Sequence, residues 1–235
     1  MISSEQERLL KELVKVFLEE NKKLNLSAMR DEESIWIGSV LDSLALLDYY
    51  KSLSAFSPAL PAGRFQHSAF LDVGTGGGFP LLPLSICLPD AKICGMDSTQ
   101  KKLDAIRRMA DALHLEHVSL ISGRAEELGH DKRYRDQFDI VTARALAPLN
   151  TLIEFCAPFV KPGGHLVAWK SMKIETELKE SLLARAELRC HLVDSYKYVL
   201  PEGWGERQLL IFEKTGPTPA KYPRDIGVPK KTPLV

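Results

Sequence analysis

The sequence predicts an α/β fold: a seven-stranded, mostly parallel sheet preceded by a helical N-terminal extension. Three observations carry that expectation. From Ala69 onward, short β-rich runs alternate with helical periods. The first of those runs ends in a cluster of glycines, and two closely spaced strands follow the last helix, joined by a turn holding Pro201, Gly203 and Gly205. Strand–helix alternation is the pattern of a parallel sheet covered on both faces. Two strands across a glycine-rich turn make a hairpin.

The elements follow in order. Ser4-x-x-Glu7 has the form of a capping box opening a helix. Leu9, Leu13 and Phe17, with Leu10, Val14 and Leu18, then recur every four residues along one face. A second helix is expected over 31–50, with Ile37, Leu41, Leu44 and Leu47 on its inner side; Asn25-Leu26-Ser27 falls in the short connection before it. Residues 52–68, with serines, Pro58, Pro61 and Gly63, read as a linker. Beyond it the strand candidates are 70–73, 92–96, 118–121, 138–142 and 165–169, separated by helices at 81–88, 99–113 and 149–160. A helix at 174–188 and strands at 192–199 and 208–212 complete the series. This divides the chain into a helical extension (1–66), an α/β domain (67–215) and a basic tail (216–235).

Composition narrows the class. With 235 residues, the chain can bury one substantial core plus a small appendage. Its 31 basic and 31 acidic side chains cancel, so any affinity for nucleic acid must come from a local patch. Cys87, Cys94, Cys156 and Cys190 are widely spaced with no C-x-x-C pair, which argues against a zinc site or a disulfide framework. No apolar run approaches a membrane span, and the N-terminus opens on a polar, amphipathic helix. The expectation is a cytoplasmic monomer with neither metal nor membrane contact.

Phe70-Leu71-Asp72-Val73 runs directly into Gly74-Thr75-Gly76-Gly77-Gly78-Phe79-Pro80. Glycines at that strand end let the backbone turn tightly and approach a cofactor closely. A dinucleotide fingerprint wants glycine or alanine where Phe79 stands, which disfavours a nicotinamide cofactor and favours a nucleoside without phosphates. Asp72 can reach a cationic amino-acid moiety. Asp97, at the tip of the second strand, can accept both ribose hydroxyls; its plain structural reading is a helix N-cap shared with Ser98 or Thr99. Ala125-Glu126 follows the third strand, where an adenine can lie; the plain reading there is an exposed acidic helix start.

These residues resemble the class I, Rossmann-like fold of S-adenosylmethionine-dependent methyltransferases. The resemblance is closer still to one family. Asn25-Leu26-Ser27, Leu41-Asp42-Ser43-Leu44, Asp72 to Pro80, Arg144-Ala145, Lys170 and the tail from Tyr222 to Leu234 stand in one order. That series is similar to the bacterial glucose-inhibited division protein B family, methyltransferases of guanine N7 in 16S ribosomal RNA. The resemblance implies S-adenosylmethionine as cofactor and 16S ribosomal RNA or the small ribosomal subunit as partner. It places cofactor contacts on Gly74, Phe79, Ala125, Glu126 and Arg144, beside the Asp72, Gly76 and Asp97 read from the strand ends. Two positions depart from the family pattern: Ser39 replaces a usual histidine, and Ser171 a usual glycine after the lysine.

The acceptor atom can be argued from chemistry. An exocyclic amine is usually served by an Asn/Asp-Pro-Pro-aromatic loop after strand four, where this chain has Thr142-Ala143-Arg144-Ala145. A pyrimidine carbon needs a cysteine nucleophile, and Cys156, the nearest, falls in an apolar helical run. Guanine N7 has an exposed lone pair and no proton, so it needs no general base and no catalytic residue beyond those that align it. Arg144 is assigned to the cofactor or an RNA phosphate, since a bidentate arginine on guanine would cover N7. Lys170 can contact O6 or phosphate, and Asp42 organises the N-terminal helices, with a direct catalytic role as the lesser reading. In the tail, Lys221, Arg224, Lys230 and Lys231 can neutralise phosphates while Tyr222 stacks on a base. Two alternatives stay open: a small-molecule methyltransferase, and a non-catalytic nucleoside-binding module of ribosome assembly.

Overall fold

The computed structural model describes residues 2–56 and 67–235. Helix α1 (Ser4–Leu24) starts on a capping box one residue earlier than the sequence pattern suggests: Gln6 N–H donates to Ser3 Oγ, and Ser3 N–H to Gln6 Oε1. It ends at Asn25 in the left-handed conformation that asparagine tolerates. The Asn21 amide then fixes the connection that follows, donating to Met29 O and accepting from Ser27 N–H.

The predicted second helix is interrupted. Asp31 caps a short α2 (Glu32–Ile35), a π-helical turn occupies Trp36–Leu41, and α3 (Asp42–Phe56) resumes the α-helical ladder. Gly38 lies inside the π turn, where a Cβ would sit 2.6 Å from the Trp204 ring and 2.9 Å from Met29 Cε. Only glycine allows that approach. Most of the predicted linker, 57–66, lies outside the described residues.

Strands β1 (Ala69–Val73), β2 (Lys92–Asp97), β3 (Val118–Ser122), β4 (Phe138–Arg144), β5 (Val160–Lys170), β6 (Cys190–Leu200) and β7 (Gly205–Lys214) form one sheet. Its order is β3-β2-β1-β4-β5-β7-β6. The pairings among β1 to β5 are parallel, while β7 runs antiparallel to both β5 and β6. The expected hairpin is therefore β6–β7, with β7 inserted between β5 and β6. Between the strands lie α4 (Leu81–Cys87), α5 (Gln100–Ala112), α6 (Ala125–Leu128) and α7 (Leu149–Cys156). After β5 the predicted single helix is two, α8 (Glu175–Glu180) and α9 (Leu182–Glu187), broken at the buried Ser181.

Period-2 alternation divides the core into two layers. Phe70, Ile93, Ile140, Val167 and Ile211 face α1, α3, α4 and α5. Their neighbours Leu71, Cys94, Val141, Leu166 and Phe212 face α7 and α9. Both faces are covered, so polar groups of the inner strands collect at the strands' carboxyl ends. No helix among the described residues is long and apolar enough to cross a membrane.

The tail is docked. Tyr222 is buried and its hydroxyl donates to Glu187; Arg224 pairs with the fully buried Glu154. Lys221 also pairs with Glu187. The expectation that Tyr222 stacks on a base is corrected by that burial, and Lys221 and Arg224 are neutralised within the protein. A last turn, α10 (Val228–Lys231), packs on α7.

Helix α1 belongs to the same core as the sheet: Phe17, fully buried, meets Phe79 edge-on with ring centroids 4.9 Å apart. Replacing Phe17 by alanine is expected to cost roughly 3–5 kcal/mol in urea denaturation. A loss below about 1 kcal/mol would remove α1 from the core.

Candidate functional site

The site is built on the carboxyl ends of β1, β2, β3 and β4. At the end of β1 the chain turns at Gly74 (φ +71), and the N–H groups of Gly74 and Thr75 both donate to Met96 O on the neighbouring strand. A Cβ at Gly74 would fall 2.5 Å from Leu146 Cδ1, so glycine is required by space as well as by dihedral.

Asp97, at the tip of β2, is buried and closes the loop from the other side. One carboxylate oxygen accepts from Gly76 N–H (3.0 Å), the other from Thr99 N–H (2.9 Å) before α5. Lys102 Nζ stands 4.0 Å away. The capping reading of Asp97 is corrected: Thr99 is the N-cap of α5 and has no side-chain cap bond, while Asp97 holds the N–H of Thr99 just ahead of the helix and grips the glycine loop, which the sequence did not disclose.

A cavity of about 330 Å³ opens beside these groups. Gly74, Asp97, Lys102, Arg124, Ala125 and Glu126 stand in its wall, as do Leu146, Phe155, Gly227 and Lys230. Glu126 is no exposed helix start: it is buried, and its Oε1 accepts from Gly227 N–H at 3.1 Å.

Asp72 lies just below this wall, paired in register with Gly95 and Thr142. Its Oδ1 accepts from Thr142 Oγ1 at 2.8 Å; Oδ2, like Thr75 Oγ1, is buried without a hydrogen-bond partner. Burial pushes the Asp72 carboxyl up to about 6, outweighing the Thr75 and Thr142 hydroxyls and the Arg144 charge, which favour its ionised form.

Arg144 takes another direction. Its Nε lies 2.9 Å from Asp42 Oδ2, and its Nη2 donates to Gly38 O in the π turn. Asp42 Oδ1 accepts from the Tyr198 hydroxyl, and Asp42 O from Trp169 Nε1. Asp42 thereby joins α3 to β4, β5 and β6, and Arg144 stands in that knot, outside the cavity wall. Lys170 is also occupied: its ammonium donates to Ala147 O and pairs with Glu177 at 2.6 Å, while Glu177 also accepts from Leu149 N–H. Lys170, read from the sequence as able to contact O6 or phosphate, thus pins the loop after β4. The departing residues are accommodated: Ser39 is buried against Met29 Sδ, and Ser171 O accepts from Gln208.

The family model described as rRNA small subunit methyltransferase G (GidB) matches residues 6–198. The chain belongs to the GidB family. Curated relatives agree across nearly the whole length. The "Ribosomal RNA small subunit methyltransferase G" of Staphylococcus saprophyticus is 38% identical, over 100% of this chain and 92% of its own. The protein of the same name from Leuconostoc citreum is 40% identical, over 93% and 87%. Among solved structures, the O-methyltransferase from Bacillus cereus in complex with SAH superposes with a TM-score of 0.57 at 16% identity, covering 86% of this chain and 91% of that one. That likeness shows a shared methyltransferase fold, the Rossmann-like sheet expected from the sequence.

Of the positions that the GidB resemblance assigns to the cofactor, Gly74, Ala125 and Glu126 stand in the cavity wall. The Phe79 ring instead packs on Phe17, and Arg144 on Asp42. Gly76, read from the strand end, has its N–H on Asp97. Sequence reasoning missed Lys102, Arg124, Leu146, Phe155 and Gly227 as wall residues, while Lys230 was marked for its charge alone.

The raised Asp72 carboxyl yields a pH test. Its folded value, about 6, exceeds the ordinary 3.8, so the folded protein holds a proton that the unfolded chain has released. The contribution of Asp72 to stability is full below about pH 4 and is lost as pH rises through 6. Asp72→Asn, which does not titrate, is expected to gain on the parent by on the order of 1–3 kcal/mol between pH 4 and pH 7 in urea titrations of cofactor-free protein. A difference independent of pH would contradict the burial of a charged Asp72.

Proposed function

We propose that the protein transfers the methyl group of S-adenosylmethionine to N7 of a guanine in 16S ribosomal RNA, acting in the cytoplasm on the small ribosomal subunit. Family membership over most of the chain, with a nucleoside-sized cavity between the glycine loop and Asp97, carries the reading.

The residues present fit the cofactor. The cavity volume falls in the ordinary range for small-molecule sites, about 300–1,000 Å³. Asp97 would take the ribose hydroxyls on the lone pairs left beside its two N–H contacts. The unpartnered oxygen of Asp72 offers an acceptor for the ammonium of the methionine moiety. Gly74 gives close backbone approach, and Ala125 and Glu126 border the purine. When bound, the cofactor supplies an electrophilic methyl on a sulfonium.

The groups of this chain suit an acceptor that needs no proton removed. Both carboxylates in the described cavity wall, Asp97 and Glu126, already accept backbone N–H groups. Cys156 is fully buried, and burial holds its thiol well above the ordinary range, which removes it as a nucleophile toward a pyrimidine carbon. Methylation of guanine N7 would release no proton, so the residues of this chain would have to hold and align the two reactants rather than act as a base. Alignment is then the main source of rate, an effect of about 7–11 kcal/mol in favourable intramolecular models. With zero net charge overall, RNA must be drawn by local cations, and Lys102 and Arg124 at the cavity supply them.

Incubation with labelled S-adenosylmethionine and small subunits lacking the modification is expected to yield labelled 7-methylguanosine on nucleoside analysis. Label confined to another nucleoside, or to a small metabolite, overturns the acceptor. Asp97→Ala is expected to raise the Kd for S-adenosylhomocysteine about ten- to a hundredfold, equivalent to about 1.5–3 kcal/mol for hydrogen bonds to a charged group. Unchanged binding in a folded variant would remove the ribose role.

A further inference from the structure

The C-terminal segment reaches the cavity by a route that its composition does not reveal. Arg135 anchors its first half, with Nη1 donating to Tyr222 O and Nη2 to Thr218 O and Pro219 O; His130 Nε2 donates to Pro223 O. Arg224 then grips Glu154 through both arms of its guanidinium and through its own N–H. Pro229 O accepts from Thr151 on α7. Past this clip the chain turns at Gly227, whose N–H donates to Glu126, and Lys230 Nζ comes to 5.8 Å from the centre of the Phe155 ring. Gly227 and Lys230 both stand in the cavity wall with Glu126 and Phe155.

We propose that residues 224–231 form part of the cofactor site: Gly227 and Lys230 wall its purine end, and docking of this segment and binding of the cofactor stabilise one another. The inference rests on the placement of the cofactor in this cavity. Glu126 is the coupling group. It lies in the part of the wall assigned to the purine, and one of its oxygens already holds the segment in place. Arg224 acts at a distance, as a positioning residue whose ion pair with buried Glu154 sets the path of the next turn. Lys230 contributes an ammonium at the edge where a purine presents ring-nitrogen acceptors.

Coupling between two sites is reciprocal, so the test reads both directions. Hydrogen exchange of the Gly227, Lys231 and Thr232 amides, all hydrogen-bonded in the structure, is followed with and without saturating S-adenosylhomocysteine. The expected result is slowing by about fivefold or more, within the usual span of coupling between sites. Arg224→Met is expected to speed exchange of the same amides in the cofactor-free protein and to raise the Kd for S-adenosylhomocysteine by a similar factor. Lys230→Ala, at an exposed position, is expected to leave the urea midpoint unchanged and weaken binding severalfold. Unaltered exchange on saturation, together with a Kd within twofold of the parent in Lys230→Ala, overturns the proposal. Asp97→Ala separates the two levels. If it weakens binding while both tail variants bind normally, the cavity stands and the segment's role falls. If it binds normally, the placement of the cofactor itself falls.

Discussion

The two hydrogen bonds to the Asp97 carboxylate set the geometry on which the rest of the site depends. A glycine-rich turn has many conformations open to it, and ordering it costs more backbone entropy than ordering any other residue type. Here Met96 O receives two N–H groups from the start of the turn and Asp97 receives a third from its middle, so neighbouring β2 holds the loop after β1. The same carboxylate takes Thr99 N–H and fixes where α5 begins. One side chain thus ties the loop, the strand end and the following helix together while facing the cavity. The two N–H donors occupy one site on each carboxylate oxygen, which leaves the remaining lone pairs in place for a ligand.

A second knot ties the helical N-terminus to the sheet. Asp42 is buried, and its charge is matched by Arg144 on one oxygen and by the Tyr198 hydroxyl on the other. Breaking such a pair from one side strands a charge in the interior, typically at 3–5 kcal/mol, whereas the intact pair adds little to stability by itself. Its effect is on arrangement: it fixes the π turn, whose Gly38 carbonyl receives the other arm of the arginine, against the ends of β4 and β6. π-Helical turns recur at functional sites, and this one abuts the mouth of the sheet.

Much of the fold could be read from the chain because hydrophobic alternation and turn chemistry are local. Strand positions, the covered sheet and the hairpin all follow from runs of fewer than a dozen residues. The glycine turn and Asp97 were legible for the same reason. The start of α1 was misplaced by one residue because Ser3-x-x-Gln6 and Ser4-x-x-Glu7 satisfy the same pattern, and only geometry selects the first. The π turn has no sequence signature, since its residues also fit an α-helix. Partnerships across the chain were hidden altogether. Lys170 reads as a free cation until Glu177 comes back over the strand end, and Arg224 until α7 presents Glu154. Counting charges in a segment cannot show which are already neutralised elsewhere in the fold.

The strand order has a consequence for how the molecule is made. Among the described residues β6 pairs with β7 alone, yet β7 follows it in the chain and lies between β6 and β5. During vectorial synthesis, β6 therefore emerges with no hydrogen-bonding partner, and the edge of β5 stays open until the next strand slots between them. Val193 and Val199, still half exposed or more in the finished sheet, then lie on an unpaired strand whose Asp194 and Lys197 are the charges that guard such an edge. The open stage ends when residues 205–214 become free to pair.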